Sequence, residues 1–486
     1  MGQIDFRNFV PAPGTSRIAA PDARGHARAR LGSSRAAELF SGWETLFAVP
    51  YRGVTTDGAP IPGLFERQSE GAPSSAMRQA AATVLSAMGP AERARGLLAV
   101  DSSLWRRWQN TELLVETHGL RLDEVSVGLR EAILQVLRTS LSAAGYTRAR
   151  RVMQLNAFLG QLVDGPGVMG EWSYTFCLFG EPRADEPWGW QLFGHHLALS
   201  CLLLGDQMVL SPTFMGAEPC YDDSGPFAGM HLFQDEQRAG LGLMRTLEGE
   251  QRARAIVADS LLSPTLPPGR RHFADGLQLG AAYQDNRIIP LEGVPGSSLG
   301  ALQRRSLLDL IEAYVSPLPA GPLAHRMRQI EDHLDATHFC WVGGTAEDST
   351  FYYRVQSPVL LIEFDHHAGV YLTNAEPQPF HVHTIVRTPN GNDYGHDLLR
   401  QHYEQAARAA QAGEGGHLAQ HGGTATASAR SHDHGHGHSH SHDHSHSHSH
   451  AHDHTHDHGH APAIDQGYPP ASVDAQGPRA KGHDAT

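Results

Sequence analysis

The feature that most restricts the fold of this sequence is a series of strand-like segments joined by short turns. Apolar and aromatic residues dominate these segments, and Gly205 and Asp206 stand between two of them as the turn of a hairpin would. Strands joined by short turns pair antiparallel, so we expect one antiparallel sheet system. The segments form two groups, at residues 172–179, 188–193, 195–204 and 207–214, and at residues 339–342, 351–356, 359–364 and 381–387.

Helical periodicity precedes the first group of strands and flanks the second. The helix predicted over residues 74–88 is stopped by Gly89 and Pro90. Runs of helices beside runs of strands are typical of an α+β fold. We therefore predict an α+β fold with a largely helical N-terminal part, an antiparallel sheet with flanking helices, and disordered termini. The other helices are predicted at residues 123–137, 147–162, 232–260, 299–315, 322–337 and 396–411.

The organisation expected along the chain is one folded domain over residues 33–411 between two disordered ends. Residues 1–32 mix Arg, Ala, Gly, Ser and Pro without periodicity, which is typical of a disordered leader. In the tail, residues 412–486, every even-numbered residue from 432 to 460 is histidine. The residues between these histidines are Gly, Ser, Ala, Thr and Asp, so the tail has nothing with which to bury a core.

The histidine-rich tail is the most specific chemical signal in the sequence. Neutral imidazole is the commonest protein ligand for Zn, Ni and Co, and many imidazoles on a flexible chain can bind several ions. The tail therefore predicts a segment that collects metal ions. The alternative is a passive low-complexity repeat that binds metal only incidentally.

Composition excludes several classes of partner. The net charge of −14 argues against nucleic acid and against an anionic membrane as partners. No run reaches the roughly 18 apolar residues that a spanning helix needs. The four cysteines form no C-x-x-C pair, so we interpret them as buried, reduced thiols of a cytoplasmic protein. The oligomeric state stays open at this stage.

A candidate metal site lies on the strand predicted at residues 381–387. Residues i and i+2 of a strand point to the same face, so His381 and His383 would stand about 7 Å apart along it. Two imidazoles so placed can bind one metal ion, and Arg387 shares their face. A surface pair of histidines is the alternative interpretation.

A third ligand could come from either of two places. His195 and His196 follow a glycine at a strand start, and because adjacent strand residues face opposite ways, at most one of them would join the site. A third imidazole would give a three-histidine site with an open position, as in hydrolytic zinc centres. Adding Glu218 instead would give the two-histidine, one-carboxylate set of non-haem iron oxidoreductases.

Three further residues are candidates for catalytic roles. Glu218 would act as a ligand or a general base. Arg387 could hold a substrate carboxylate or phosphate, or pair structurally with Asp393 or Glu363. Asp393 would orient one histidine through a hydrogen bond.

A further histidine pair, His366 and His367, is predicted to lie exposed at the end of a hairpin strand. Its position after residues 359–364 makes a ligand role the less favoured interpretation.

Several motifs together resemble the DUF3500 family of uncharacterised proteins, over about residues 35–405. They are GHHL at residues 194–197, PTFMGAEP at 212–219, YRVQSP at 353–358, IEF at 362–364 and HVHTIVRTPNGNDYG at 381–395. The turn at residues 388–393 departs from the tighter RDPxNDYG run of the family. The resemblance implies no particular reaction, and the histidine tail lies outside it.

The leading functional hypothesis is a metal-dependent enzyme that acts on a small molecule. A divalent ion, Zn, Fe, Ni or Co, would bind to His381, His383 and one of His195 or His196. The rival hypothesis is a protein that stores or delivers Zn, Ni or Co without catalysis. A structural domain with incidental histidines is a third possibility. Metal content after removal of residues 412–486 would distinguish an enzyme from a pure carrier.

Overall fold

The structure is a computed structural model that describes residues 5–419, with side chains described to residue 411. The chain divides into two compact units, Met1–Glu404 and Gln405–Thr486. The first unit holds every strand described below and all helices but the end of the last one. The described part of the second unit is the C-terminal portion of that last helix. Residues 412–419 of the tail predicted to be disordered continue the last helix, and the rest of that tail lies outside the described residues.

One mixed sheet of twelve strands forms the centre of the first unit. Its spatial order is β1-β3-β4-β5-β6-β12-β11-β10-β9-β7, with β2 paired to β3 and β8 paired to β9. The strands are β1 (Leu97–Leu98), β2 (Leu120–Arg121), β3 (Tyr174–Phe179), β4 (Trp188–Gly194), β5 (Leu197–Leu204), β6 (Gln207–Ala217), β7 (Ile256–Ala258), β8 (Val294–Pro295), β9 (His338–Gly343), β10 (Phe351–Gln356), β11 (Leu361–His367) and β12 (Gln378–Arg387).

The two predicted groups of strands meet in this sheet. Strands β3 to β6 are joined in sequence order by antiparallel pairing, and so are β9 to β12. The groups join where β6 pairs antiparallel with β12, with Gly216 opposite His383. The only parallel pairs among the described strands are two short contacts at the sheet margins, β1 with β3 and β7 with β9. The first strand group thereby lies directly beside the strand that carries the histidine pair.

The described residues also form eleven α-helices, so the α+β prediction is confirmed. They are α1 (Ala23–Leu31), α2 (Ser34–Ala48), α3 (Ser74–Ala87), α4 (Pro90–Gly96), α5 (Val127–Ser140), α6 (Ala143–Leu162), α7 (Gln234–Thr246), α8 (Gly249–Ala255), α9 (Ala301–Val315), α10 (Ala320–Asp332) and α11 (His396–Ala419). None of the helices in this part of the chain is long and apolar enough to cross a membrane.

The two faces of the sheet are buried in different clusters of apolar side chains. Strand residues alternate between faces, so Val382 of β12 packs in the large cluster with α3, α5 and α6. Ile385 packs on the opposite side, in the smaller cluster that contains Trp43, Trp105 and Trp108. Every residue of β5 is buried, because both faces of this strand are covered.

The N-terminal segment differs from the prediction of a disordered leader over residues 1–32. Residues 6–9 form a 3-10 turn, and α1 covers residues 23–31. Phe6 and His26 are fully buried, and Phe6 contacts the rings of Phe158 and Phe380. The buried face of α1 is made by Ala23, His26 and Ala27, which are too small or too polar to give a clear apolar stripe in the sequence.

Candidate metal centre

His381 and His383 project from β12 toward each other on one face of the strand. The Nε2 atoms of the two rings are 3.1 Å apart, and both side chains are buried. Two nitrogen ligands of one tetrahedral ion stand about 3.3 Å apart when each metal–nitrogen bond is about 2.05 Å. The spacing of the two rings therefore fits a shared ion.

His196 is the third member of the cluster. One ligand atom from each of His196, His381 and His383 lies within 4.8 Å of the other two. The ring centroid of His196 is 5.5 Å from that of His381 and 5.1 Å from that of His383. Three imidazoles converge on one point, although they come from segments almost 190 residues apart. We call these three residues the histidine triad.

A two-residue turn and a glycine bring His196 to the triad. His195 and His196 form the turn between β4 and β5, where His196 takes a left-handed backbone conformation with φ 63°. Its carbonyl accepts a hydrogen bond of 2.8 Å from the backbone N–H of Gly216. A Cβ atom at Gly216 would stand 2.9 Å from the ring of His383 and 3.0 Å from that of His196. The absence of a side chain at this position lets the two rings approach.

His195 lies beside the triad but is not one of its members. Its ring stacks on His196 with a centroid distance of 3.9 Å, and its Nδ1 is 2.8 Å from Oδ1 of Asn156. The expectation that adjacent histidines face opposite ways rested on a strand conformation. The pair forms a turn instead, so the two rings lie side by side.

The triad is held in the neutral form that a metal ion requires. Burial lowers the pKa of His196, His381 and His383 well below the usual value for histidine. The Nδ1 of His381 is 2.8 Å from the carbonyl oxygen of Ala368. A carbonyl can only accept, so the proton sits on Nδ1 and the Nε2 lone pair faces His383.

Glu218 lies beside His381 but contributes no ligand atom to the triad. Its carboxylate accepts hydrogen bonds from the backbone N–H groups of Val370, Tyr371 and Leu372, at 2.8 to 3.2 Å. Its Oε1 is 3.8 Å from Nδ1 of His381, on the side of that ring away from the triad. Burial raises the pKa of Glu218 to about 7. Both oxygens of the predicted ligand or base are thus occupied by the loop that follows β11.

His366 and His367 are buried, which corrects the prediction that they are exposed. They are 1% and 6% exposed. The ring of His367 lies 4.1 Å from that of His383 and 5.2 Å from that of His381, and its Nε2 is 3.4 Å from Oδ2 of Asp365. A β-bulge at this point and the overlying segment around residues 272–277 enclose the strand end. The alternation of Glu363, Asp365 and His367 along β11 was the available signal.

Arg387 belongs to a buried ion-pair network at the far end of β12. Its guanidinium donates to Asp285 at 3.0 Å and to Asp393 at 2.8 Å. It also donates to the carbonyl oxygens of Gly280 at 2.5 Å and Ala281 at 2.8 Å. Pairing with Asp393 is one of the structural alternatives that the sequence left open. The position of Asp285 could not be inferred, because it lies on an irregular segment.

The structure does not bring Arg387 and Asp393 to the triad. Arg387 follows His383 by four residues on β12, which is about 13 Å along a strand. The buried side chain of Ile385 lies on the same face between them. Asp393 accepts a hydrogen bond of 2.6 Å from Ser211 in addition to those from Arg387 and the backbone. These contacts connect β12 to the core and do not orient a histidine.

Comparison with known proteins identifies the family of the chain. Searches of the curated proteins and of the solved structures gave no match. The family model described as "Protein of unknown function (DUF3500)" matches residues 70–396, which include all three histidines of the triad. This match covers more than half of the chain, and it agrees with the resemblance carried by the sequence motifs. The chain therefore belongs to the DUF3500 family.

Proposed function

We propose that this chain is a metal-dependent enzyme in which His196, His381 and His383 hold one divalent ion. The observation that carries the proposal is the convergence of three neutral imidazoles within 4.8 Å. Structural zinc sites close around the ion with four protein ligands, whereas catalytic sites keep three and leave a position for water or substrate. A triad of ligands is the set expected for catalysis.

The folding of the first unit gives a second reason to favour catalysis over a structural ion. Structural metal ions are needed mainly in small domains, because small domains cannot bury enough apolar surface to be stable. Here one large and one smaller apolar cluster bury the two faces of the sheet. An ion that the fold does not need is better explained by chemistry at its open position.

The identity of the bound metal would determine which of two reaction classes the site catalyses. Zinc would act as a Lewis acid for hydrolysis, and iron would supply oxidoreductase chemistry. In either case Glu218 acts as a positioning residue, because it holds the loop whose Ala368 carbonyl orients His381. The four cysteines are free and buried, which supports a reducing compartment such as the cytoplasm.

The second candidate function is storage or delivery of zinc, nickel or cobalt. The observation that favours it is the alternation of histidine from residue 432 to residue 460. Under our main proposal this tail collects metal ions and raises their concentration near the enzyme. Under the alternative, the tail holds almost all of the metal and the triad holds none.

Metal analysis of a chain that ends at Ala419 separates the two functions. The truncated protein should retain about one ion per chain if the triad is an enzyme site. Changing His381 and His383 together to Ala should remove that ion. A matched control changes His325 of α10 and His333, the residue that follows this helix, both outside the triad, and should leave the ion in place.

Two results would count against the proposal. A truncated protein that carries no metal after loading and dialysis would favour the storage protein. Retention of the ion by the double variant of β12 would show that the ion binds elsewhere. Elemental analysis of both preparations, without an affinity tag, gives the answer.

A further inference from the structure

The guanidinium of Arg270 is buried, and one edge of it makes no hydrogen bond within the described residues. The residue is 7% exposed, and its Nη1 donates to the carbonyl of Leu277 at 2.5 Å. Within the described part of the chain, its Nε and Nη2 atoms are buried and have no hydrogen-bond partner. No carboxylate of these residues lies within ion-pair distance of the guanidinium. A buried, unpaired charge costs several kcal/mol on general grounds, on the order of the penalty for transfer into an apolar interior.

The unused atoms form the edge of the guanidinium that binds carboxylates. Nε–H and Nη2–H point in the same direction and match the two oxygens of a carboxylate. The same edge is used elsewhere in this chain. Arg7 binds Asp223 through Nε at 2.8 Å and Nη2 at 2.5 Å, and Arg121 binds Asp123 at 2.8 Å and 2.6 Å. In Arg270 this pair of N–H groups, here called the fork, has no carboxylate partner among the described residues.

Within the described residues, other polar atoms beside Arg270 and along β10 are buried without partners. In the region that the structure describes, both amide atoms of Gln278, Nη1 of Arg354 and Oε1 of Gln356 are buried without a hydrogen bond. Gln278 follows Leu277, which contacts Arg270, and the other two residues are on β10. Buried polar groups are almost always paired with protein, ordered water or a ligand, so these atoms are available to bind a polar ligand.

The unpaired atoms lie on the side of the sheet that carries the triad. Arg270 lies over the ring of Tyr352, with its Cζ 4.8 Å from the ring centroid. Tyr352 is opposite Asp365 on β11, and Asp365 is opposite His383 on β12. Two strand spacings make the distance from Tyr352 to His383 about 10 Å. Asp365 lies between them, and its Oδ1 also has no partner among the described residues.

We propose that Arg270 binds the carboxylate of a small organic acid that extends toward the histidine triad. This inference rests on the proposed function, because it assigns a substrate class to the metal centre. The fork of Arg270 fixes one end of the molecule, and Gln278 supplies amide contacts. The reactive part of the acid then lies nearer the ion. A carboxylate fits better than a phosphate because two coplanar oxygens match the two free N–H groups.

The experiment measures thermal unfolding of the full-length, zinc-loaded protein with acetate, glutarate, inorganic phosphate and chloride at constant ionic strength. Ligands that bind only the folded state raise Tm with concentration. We expect glutarate to raise Tm by about 3 °C at 100 times its Kd, and chloride to have no effect. Arg270→Met should abolish the shift. Arg287→Met removes the same charge from a half-buried neighbour and should preserve the shift.

The ligand-free variants provide a second measurement. The ligand-free Tm of Arg270→Met gives the cost of losing the hydrogen bond to Leu277, and the effect of glutarate is measured from that baseline. Arg270→Lys retains the charge but loses the fork, and should weaken glutarate binding at least about tenfold. It keeps the test informative if Arg270→Met fails to fold.

Three results would overturn the inference. They are no shift with either carboxylate, a shift that survives in Arg270→Met, and an equal shift with phosphate. Repeating the titration on the His381→Ala, His383→Ala variant separates this inference from the proposed function. If the shift depends on Arg270 but no bound ion depends on His381 and His383, the carboxylate site is supported and the metal centre fails. Bound metal without a shift gives the reverse.

Discussion

The Nδ1 atom of His381 lies 2.8 Å from the carbonyl oxygen of Ala368, and this contact sets the tautomer of a proposed metal ligand. Ala368 begins the loop between β11 and β12. The next residues of that loop donate three backbone hydrogen bonds to the carboxylate of Glu218, at the end of β6. The orientation of His381 therefore depends on Glu218 through the loop, although Glu218 contributes no ligand atom to the triad.

Replacing Glu218 by Ala should weaken both the fold and the metal site. Three buried backbone donors would lose their acceptor, so the free energy of unfolding should fall by about 3 kcal/mol. Zinc affinity of the chain ending at Ala419 should fall by roughly 10–100-fold, as when other partners of metal-bound histidines are removed. Denaturant unfolding and competitive zinc titration measure the two effects.

A nearby acidic residue gives the control for Glu218→Ala. Glu376 is an exposed acid on the same loop, and Glu376→Ala should change neither quantity. Glu218→Gln retains a side-chain oxygen that can accept from the loop, and we expect an intermediate loss. Unchanged zinc affinity in a destabilised Glu218→Ala protein would show that the loop does not position His381.

The two adjacent histidines should behave differently when each is replaced. His196→Ala removes one of three ligands, so zinc affinity should fall by more than the roughly 10–100-fold that follows loss of a ligand's hydrogen-bond partner. His195→Ala loses a hydrogen bond to Asn156 and a stacked ring, but no ligand atom. Its zinc content should stay at about one ion per chain. Equal losses in the two variants would contradict the assignment of His196 alone to the triad.

Arg387→Met tests whether this arginine belongs to the core or to the reaction. The substitution leaves the carboxylate of Asp393 buried without its cation, while Asp285 retains its ion pair with Arg106 at 2.9 Å. We expect the free energy of unfolding to fall by about 3–5 kcal/mol, the usual cost of breaking a buried pair. Zinc content should not change, because the network lies well away from the triad. A stable variant with lost activity would instead support the substrate-binding role considered from the sequence.

The sequence predicts the architecture and two of the three histidines of the triad, because these depend on local patterns. Strand segments and short turns determine the antiparallel pairing, and the spacing of His381 and His383 places both on one face. The choice between His195 and His196 has no such basis. It follows from a turn conformation and from the absence of a side chain at Gly216, neither of which leaves a periodic signal.

Roles that depend on distant partners were beyond the reach of the sequence. Glu218 is an acidic residue of the kind that binds metal ions. Only its contacts with a loop about 150 residues later show that both of its oxygens already accept hydrogen bonds. Arg387 shares a face with the histidines, and its partner Asp285 comes from an irregular segment. Arg270 stands out because of atoms that have no partner in the described chain, which only coordinates can reveal.

The tail and the triad should release metal at different pH. A histidine binds metal only when neutral, so protonation competes with the ion and a lower pKa preserves binding to lower pH. The ordinary pKa of imidazole is about 6.5, so we expect ions on residues 432–460 to dissociate as the pH falls through about 6. Burial lowers the pKa of all three triad histidines well below that value, so their ion should remain bound. Zinc-loaded full-length protein should therefore lose several ions by about pH 5 and retain about one, given the imidazole pKa and one ion per site. The chain ending at Ala419 should show only the second, more acidic release. Dialysis at stepped pH followed by zinc analysis of both proteins gives the measurement, and release of all zinc from both at the same pH would contradict the difference in environment.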